Sequence, residues 1–258
     1  MRPLLVTAIL LCACAARADE AGWLATVQIG PGVAPNYAGA RSYRAVPNPG
    51  LSVRRANEPE RFSAPDDSFG APILDASGFR AGPVGNLILP RWRTHPETYG
   101  LKPRRAALEL GGFAEYFLPS DAVRFRAELR QGVYGHHGLV ASVSSDIIAR
   151  AGAFTFSAGP RASFATSAAL APSYSVAPWE AALNQRVTPY DAHTSFASAG
   201  FMTTARYDFN ARWNVTGYGG LNRLAGAAAA SPIPRLIGSR NQFNAGLLLA
   251  RTFAIGPL

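Results

Sequence analysis

The feature that most constrains this chain is a two-residue alternation of charged and apolar side chains along residues 123–130. The charged residues Arg124, Arg126, Glu128 and Arg130 occupy every second position, and apolar residues lie between them. Successive side chains of a β-strand point to opposite faces, so one face of this strand is charged and the other is apolar. Such a strand fits a soluble sandwich with its charges in water, or a membrane barrel with its charges in the lumen.

Residues 1–18 have the pattern of a cleavable signal peptide. Arg2 gives a basic start, Leu4 to Ala15 is an apolar run, and Ala16-Arg17-Ala18 offers a small-x-small cleavage site. The run is shorter than the roughly 20 residues of a membrane-spanning helix. We therefore predict an exported protein with one mature domain, residues 19–258.

Cysteine usage and charge narrow the chemistry of the mature chain. Both cysteines, Cys12 and Cys14, lie in the leader, so we predict no disulfide and no thiol chemistry; a lipobox-like reading of this stretch makes a lipoprotein the alternative. The formal net charge of +9 falls by two, to +7, when Arg2 and Arg17 leave. Because an exported chain rarely meets nucleic acid and the basic residues are scattered, we predict no nucleic-acid partner.

The same alternation recurs in segments of about ten residues, which is typical of outer-membrane barrels. We predict an all-β fold, an antiparallel transmembrane β-barrel of 10–12 strands. Ten strands are assigned to residues 23–33, 45–54, 79–90, 105–117, 122–133, 139–149, 153–164, 196–207, 212–223 and 242–253. The region from Glu60 to Asp75 either adds a hairpin, which gives twelve strands, or forms a periplasmic excursion.

The lengths of the connections predict the orientation of the barrel. Short turns at residues 118–121, 149–152 and 208–211 alternate with longer links, among them residues 165–194 and 225–240. Barrels of the outer membrane place their short turns in the periplasm and their long loops outside. Residues 165–194 show no strand pattern, so we expect an external loop or an inward plug.

The charged strand faces define a set of candidate lumen-lining residues. The set is Arg124, Arg126, Glu128, Arg130, Arg161 and Arg212, with Glu109 as a further candidate. Two interpretations stay open for it. The arginines select anions in a channel, or an Arg and Glu network only holds the barrel wall together.

The sequence predicts no catalytic residue, no cofactor and no metal site. His136 and His137 are adjacent between Gly135 and Gly138, and on a strand they would point to opposite faces. No Cys, His and carboxylate cluster surrounds them. A Ser, His and acid arrangement cannot be read from the pattern either, so we predict that the protein is not an enzyme.

Several short motifs, in this order, resemble the MipA/OmpV family of outer-membrane proteins. They are Ile29 to Ala40 (IGPGVAPNYAGA), Val46-Pro47-Asn48-Pro49, Gly112 to Tyr116 (GFAEY), Gly135-His136-His137-Gly138, Phe156 to Arg161 (FSAGPR), and Gly238 to Gln242 (GSRNQ). One position departs from the family pattern. Arg251 stands where the last strand carries its penultimate aromatic residue, and a lipid-facing arginine costs about 0–1 kcal/mol near the interface.

The resemblance implies a barrel in the outer membrane of a Gram-negative cell and no catalytic residues. It also implies a scaffold that brings a murein-degrading lytic transglycosylase together with a bifunctional murein synthase. Other members of the family are adhesins or influence antibiotic susceptibility. The expected function is therefore a murein-enzyme scaffold in contact with outer-membrane lipid; a small anion-favouring channel, or an adhesin that binds through residues 165–194, is the alternative.

Overall fold

The structure is a computed structural model that describes residues 22–90 and 95–255. The predicted signal peptide lies outside the described residues. Within them the chain forms fourteen strands of one sheet: β1 (Trp23–Ile29), β2 (Pro31–Pro35), β3 (Tyr43–Pro47), β4 (Gly50–Arg55), β5 (Phe69–Gly70), β6 (Leu74–Ala76), β7 (Phe79–Ile88), β8 (Ala107–Phe117), β9 (Val123–Tyr134), β10 (Leu139–Ala151), β11 (Phe154–Ala165), β12 (Ser195–Asn210), β13 (Trp213–Leu224) and β14 (Asn241–Ile255).

The sheet curls so that the first and last strands of the chain are neighbours. Its order is β3-β2-β14-β13-β12-β11-β10-β9-β8-β7-β5, with β1 between β14 and β4 and with β6 beside β7. Every recorded strand pair is antiparallel. Three pairs of short strands run in line as halves of one longer strand, namely β1 with β2, β3 with β4, and β5 with β6.

All ten predicted strands are present. β5 and β6 together form an eleventh strand, which lies at the end of the ambiguous region from Glu60 to Asp75 and extends one residue beyond it. The barrel class is confirmed. The break between β1 and β2 falls at Gly30, where a Cβ atom would lie only 1.8 Å from the carbonyl oxygen of Leu247 on β14. Glycine is therefore required where these two backbones approach each other.

The two faces of β9 distinguish a membrane barrel from a soluble sandwich. The charged face is buried, and Arg124 has no exposed surface. The apolar face is open, since Phe125 is 51% exposed and Leu129 is 53% exposed. A soluble sandwich has the opposite arrangement, so the exposed apolar face is the one that meets lipid.

Aromatic side chains gather near both ends of this outer face. Near the short turns they are Trp23, Tyr116, Phe154, Tyr207 and Phe253, and near the long loops they are Tyr43, Phe164, Phe196 and Phe243. On β11, the girdle residues Phe154 and Phe164 are ten residues apart, which is about 33 Å along a strand and about 25 Å along the membrane normal at a strand tilt of about 40°. This spacing suits an apolar band about 25 Å tall between two aromatic girdles.

Arg251 lies in the girdle at the short-turn end. Its guanidinium carbon is 5.1 Å from the ring centre of Trp213 and 4.7 Å from that of Phe253. Aromatic faces attract a guanidinium, and the long side chain reaches the membrane surface. The departure from the family pattern at this position is accommodated by the girdle.

The long loops form a helical cap over one end of the barrel. The cap contains a 3₁₀ turn (Pro96–Thr98), α1 (Ser167–Tyr174), α2 (Pro178–Asn184), α3 (Gly226–Ala230) and a π turn (Ile233–Ile237). Two apolar clusters hold these pieces together, one around Val176 and Ile233 and one around Leu170 and Ala227. The loop at residues 165–194 therefore belongs to this cap. No helix in the described part of the chain is long and apolar enough to cross a bilayer.

Residues 56–68, which we call the interior segment, connect β4 to β5 through the inside of the barrel. The segment leaves the short-turn end, where the amide of Ala56 donates to the carbonyl of Gly22 at 2.8 Å, and it ends at Ser68 halfway up the wall. Pro59 and Pro65 lack backbone donors, and the segment has no two-residue alternation, which disfavours a wall strand here. When each in-line pair of short strands is counted as one, the wall contains eleven strands. The interior segment is a twelfth stretch of chain, and it lies inside the barrel.

This arrangement leaves a seam in the wall. One side of the seam is the free edge of β3 and β4, and the other side is the free edge of β5, β6 and β7. Among the described residues, no strand pairing joins these two edges. β4 and β5 are in contact near the short-turn half. In the long-loop half β5 is absent, because its first pair is Phe69 with Gly85, so β3 faces the upper part of β7 directly.

Candidate functional site

The candidate site is a network of ion pairs inside the barrel, which we call the charged network. It joins β8, β9, β10 and β11 to the interior segment. The strand register places its side chains on one face, because inward positions of neighbouring strands pair across the sheet, as Arg126 does with Glu115 and Asp146 does with Arg124. Each arginine thus meets a carboxylate on an adjacent strand.

Arg124 is the centre of the network. Its Nη1 and Nη2 atoms donate to the two carboxylate oxygens of Asp67 at 2.6 and 3.0 Å. Its Nε and Nη2 atoms donate to Oδ2 of Asp146 at 3.1 and 2.7 Å. The ring of Phe62 covers the guanidinium, with 5.0 Å between the guanidinium carbon and the ring centre. Arg124 therefore ties the interior segment to the wall by a fork of charge-assisted hydrogen bonds.

Arg161 on β11 makes a second fork to the same segment. Its Nε and Nη2 atoms donate to the carboxylate of Asp66 at 2.7 and 3.2 Å, and Nη2 also donates to Asp146 at 2.8 Å. Further along the segment, Arg61 pairs with Asp121 at 2.6 Å, and Glu60 pairs with Arg206 on β12. The interior segment is thus bound to the wall on strands from β9 to β12.

The upper part of the network surrounds Arg130. Its Nε atom donates to Glu109 at 3.0 Å, and its Nη1 atom pairs with Glu128 and donates to Ser68 at 3.1 Å. His136 is buried beside Glu109, 3.1 Å from Nε2 to the carboxylate oxygen. Since Nδ1 of His136 accepts from the amide of Gly138, Nε2 carries the proton and donates to Glu109.

The charges of the network do not add up to a positive lumen. The ion pairs among β8, β9, β10, β11 and the aspartates of the interior segment join four arginines, Arg124, Arg126, Arg130 and Arg161, to six carboxylates, Asp66, Asp67, Asp146, Glu109, Glu115 and Glu128. Carboxylates therefore exceed arginines by two. On charge alone the network does not favour anions.

The two neighbouring aspartates of the interior segment differ in acidity. Burial outweighs the Arg161 guanidinium for Asp66 and raises the pKa of that carboxyl above its usual value. Burial acts in the same direction on Asp67, but there the Arg124 charge and hydrogen bonds prevail and hold the pKa at about 2. Asp67 is therefore the carboxylate whose charge the structure stabilises.

Five of the six candidate residues from the sequence lie together in this network, namely Arg124, Arg126, Glu128, Arg130 and Arg161, and Glu109 joins them. Arg212 lies apart, exposed in the turn between β12 and β13. The sequence did not indicate Asp66, Asp67 or Ser68, because the interior segment has no periodicity. Asp146 had a signal, since it continues the inward parity of Ser142 and Ser144 on β10.

A polar cavity of about 290 Å³, which we call the central cavity, lies above the interior segment. Arg126, Glu128, Arg130 and Asp66 line one side of it. The opposite side carries Ser163, Ser198, Asn222 and Asn244. The described residues contain no group of three or more His, Cys, Asp or Glu side chains arranged to hold a metal ion.

A curled antiparallel sheet with an apolar outer face, two aromatic girdles and a charged interior defines the class of this protein, an outer-membrane β-barrel. The chain belongs to the MipA family: the family model described as MltA-interacting protein MipA matches residues 27–253. The family resemblance in the motifs is confirmed. No curated protein matches the chain.

Several solved structures of outer-membrane proteins are similar over most of their length. An outer-membrane channel from Pseudomonas putida F1 has a TM-score of 0.37 and 11% identity, covering 92% of this chain and 99% of that one. Neisserial surface protein A has a TM-score of 0.26 and 8% identity, covering 91% of this chain and 97% of that one. The outer-membrane channel DcaP of Acinetobacter baumannii has a TM-score of 0.31 and 10% identity, covering 90% of this chain and 96% of that one.

Proposed function

We propose that this barrel is a non-enzymatic scaffold that holds murein-processing enzymes at the periplasmic face of the outer membrane. The partners would be a lytic transglycosylase of the MltA type, which the description of the family names, and a bifunctional murein synthase. The observation that carries the proposal is the interior segment. A barrel whose inside is crossed by a chain segment bound to the wall has its binding surfaces at its ends.

The short-turn end offers a surface that suits a protein partner. Arg55, Arg150 and Arg212 are exposed there, and no ion pair joins them to a carboxylate of the described residues. Of the acidic groups near them, Asp121 pairs with Arg61, and Glu60 and Asp208 pair with Arg206. Glu58 accepts a hydrogen bond from the backbone amide of Arg55. This basic rim favours a partner with an acidic surface.

The two alternatives receive less support. An anion-favouring channel needs an open and positive lumen, whereas the charged network holds more carboxylates than arginines and the interior segment crosses the barrel. An adhesin would use the cap, where residues 166–194 are folded onto two apolar clusters. Within residues 22–90 and 95–255, no specific contact of the cap favours a host ligand.

The decisive experiment reverses the charge of the basic rim. We expect the triple variant Arg55→Glu, Arg150→Glu and Arg212→Glu to lose co-purification with the lytic transglycosylase from detergent-solubilised envelopes, because like charges would then face the partner. The matched control is Arg223→Glu with Arg240→Glu, two exposed arginines at the long-loop end. Equal capture by both variants would contradict the proposal.

Electrical measurements test the obstruction of the lumen independently. We expect the full barrel to give no steady current in planar bilayers. Replacement of residues 58–67 by a flexible Gly and Ser linker of the same length should open a current, provided that the variant still shows heat-modifiable migration. A steady, anion-selective current through the unmodified protein would favour the channel instead.

A further inference from the structure

The seam between β3 and the upper part of β7 contains a second cavity, which we call the seam cavity. It has a volume of about 340 Å³ and lies in the long-loop half of the wall. On the β7 side, the last backbone pair with β5 is at Gly85, so Asn86–Ile88 have no partner on that edge among the described residues. On the other side, Tyr43–Pro47 pair with β2 alone.

The lining of the seam cavity is amphipathic. Leu87 and Leu89 are 58% and 48% exposed, and they place apolar surface at its lipid side together with Pro35 and Pro90. Arg44, Arg104 and Gln242 place polar groups along the same cavity. The cavity therefore passes from a hydrocarbon environment to a cationic one.

Arg44 distinguishes this cavity from the charged network. Its Nε atom is buried and makes no hydrogen bond within the described residues, and no ion pair joins its guanidinium to a carboxylate there. Arg104 reaches the cavity as well, and its Nη1 atom donates to Ser173 Oγ at 2.9 Å. No carboxylate is among the residues that line the cavity. Arg44 thus faces a space whose lining, among the described residues, carries no carboxylate.

We propose that the seam cavity binds an anionic lipid of the bilayer, whose phosphate headgroup carries a net negative charge. The phosphate would accept hydrogen bonds from Arg44 and Arg104, because guanidinium groups match phosphate oxygens as forks and the buried Nε atom of Arg44 has no hydrogen-bond partner among the described residues. The acyl chain would leave the wall past Leu87 and Leu89. The wall opens at this place because the edges of β3 and β7 are free. The interior segment, which could have formed a strand between them, lies inside the barrel.

Lipid binding can be measured on the purified full barrel in zwitterionic detergent by native mass spectrometry. The probe is dihexanoyl phosphatidic acid. Dihexanoyl phosphatidylcholine tests whether a zwitterionic lipid suffices, and glycerol 3-phosphate tests whether the headgroup suffices without acyl chains. We expect one bound phosphatidic acid per barrel and much weaker binding of the other two compounds.

The variant Arg44→Gln should weaken binding of phosphatidic acid by about tenfold or more, since a hydrogen bond to a charged group is lost. Arg223→Gln is the control, because it removes an exposed arginine on β13, outside the lining of the cavity. Heat-modifiable migration verifies that both variants fold. Equal binding by Arg44→Gln, equal binding of phosphatidylcholine or glycerol 3-phosphate, or a lipid-free dimer joined through the seam would each overturn the proposal.

Discussion

The central cavity and the seam cavity both present arginines, but they treat the charge of those arginines in opposite ways. In the central cavity each guanidinium meets carboxylates of the same chain, as Arg161 does with Asp66 and Asp146. In the seam cavity Arg44 meets none among the described residues. The difference shows that arginine inside a barrel has two uses: internal attachment where its counter-ion is built in, and recognition where the counter-ion comes from a ligand.

The physical cost of burial explains why both arrangements exist. A buried charge is tolerated when it is paired and its hydrogen bonds are satisfied, and removal of one partner then leaves an uncompensated charge. The charged network follows this rule and fixes the interior segment. Arg44 has no such partner among the described residues, and the lipid proposed for the seam cavity would supply the counter-ion.

The largest expected effect is on the centre of the network. Arg124→Met should lower the free energy of unfolding by about 3–5 kcal/mol, because Asp67 and Asp146 would be left buried without their common cation. The measurement is urea unfolding in lipid vesicles, followed by tryptophan fluorescence. Arg223→Met, which removes an exposed arginine, should change the same quantity by about 0.5 kcal/mol or less. Similar losses in the two variants would mean that the network does not hold the wall.

The wall of the barrel could be predicted from the sequence because lipid on one side and a polar lumen on the other impose a period of two. Each predicted strand lies within a few residues of its observed bounds, and the face of β9 that carries Arg124 and Arg126 is the inward one. This pattern depends on local chain geometry alone.

The interior segment and the seam could not be predicted because they depend on contacts between distant residues. Asp67 and Arg124 are 57 positions apart, and Asp66 and Arg161 are 95 apart. The composition of the segment, with its prolines and acidic residues, resembles that of any surface loop. Arg212 was placed with the lumen candidates because it continues the parity of β13, but the strand begins one residue later, at Trp213, and Arg212 lies in the turn.

An intermediate effect should appear on acidification, through the interior segment. The pKa of Asp67 in the folded protein is about 2, below its ordinary value of 3.8, so the unfolded chain binds more protons between these values. The contribution of Asp67 to stability is present above about pH 4 and is lost as the pH falls through 2. It amounts to about 2 kcal/mol.

The comparison of Asp67→Asn with Asp66→Asn isolates the pH-dependent contribution of Asp67 to the free energy of unfolding. Between pH 6 and pH 2 we expect the stability of Asp67→Asn to fall by about 2 kcal/mol less than that of the unmodified protein. Asp66→Asn should show at least the full fall, because burial raises the pKa of Asp66, so that its own contribution to stability rises on acidification and is removed in the variant. If the two variants respond alike to acid, Arg124 does not stabilise the charge of Asp67 in solution.

The smallest expected change in the free energy of unfolding is at the seam. A small value there distinguishes Arg44 from the paired arginines of the charged network. Arg44→Met in lipid-free detergent should change the free energy of unfolding by about 0.5 kcal/mol or less, since no carboxylate of the described residues loses a partner and methionine fills similar space. Added dihexanoyl phosphatidic acid should then stabilise the unmodified barrel, by an amount that grows with the logarithm of its concentration above the Kd, and leave the variant unchanged, because only the unmodified barrel would bind it. A loss of several kcal/mol without lipid would place Arg44 in the same class as Arg124, as an internal tie whose counter-ion belongs to the protein.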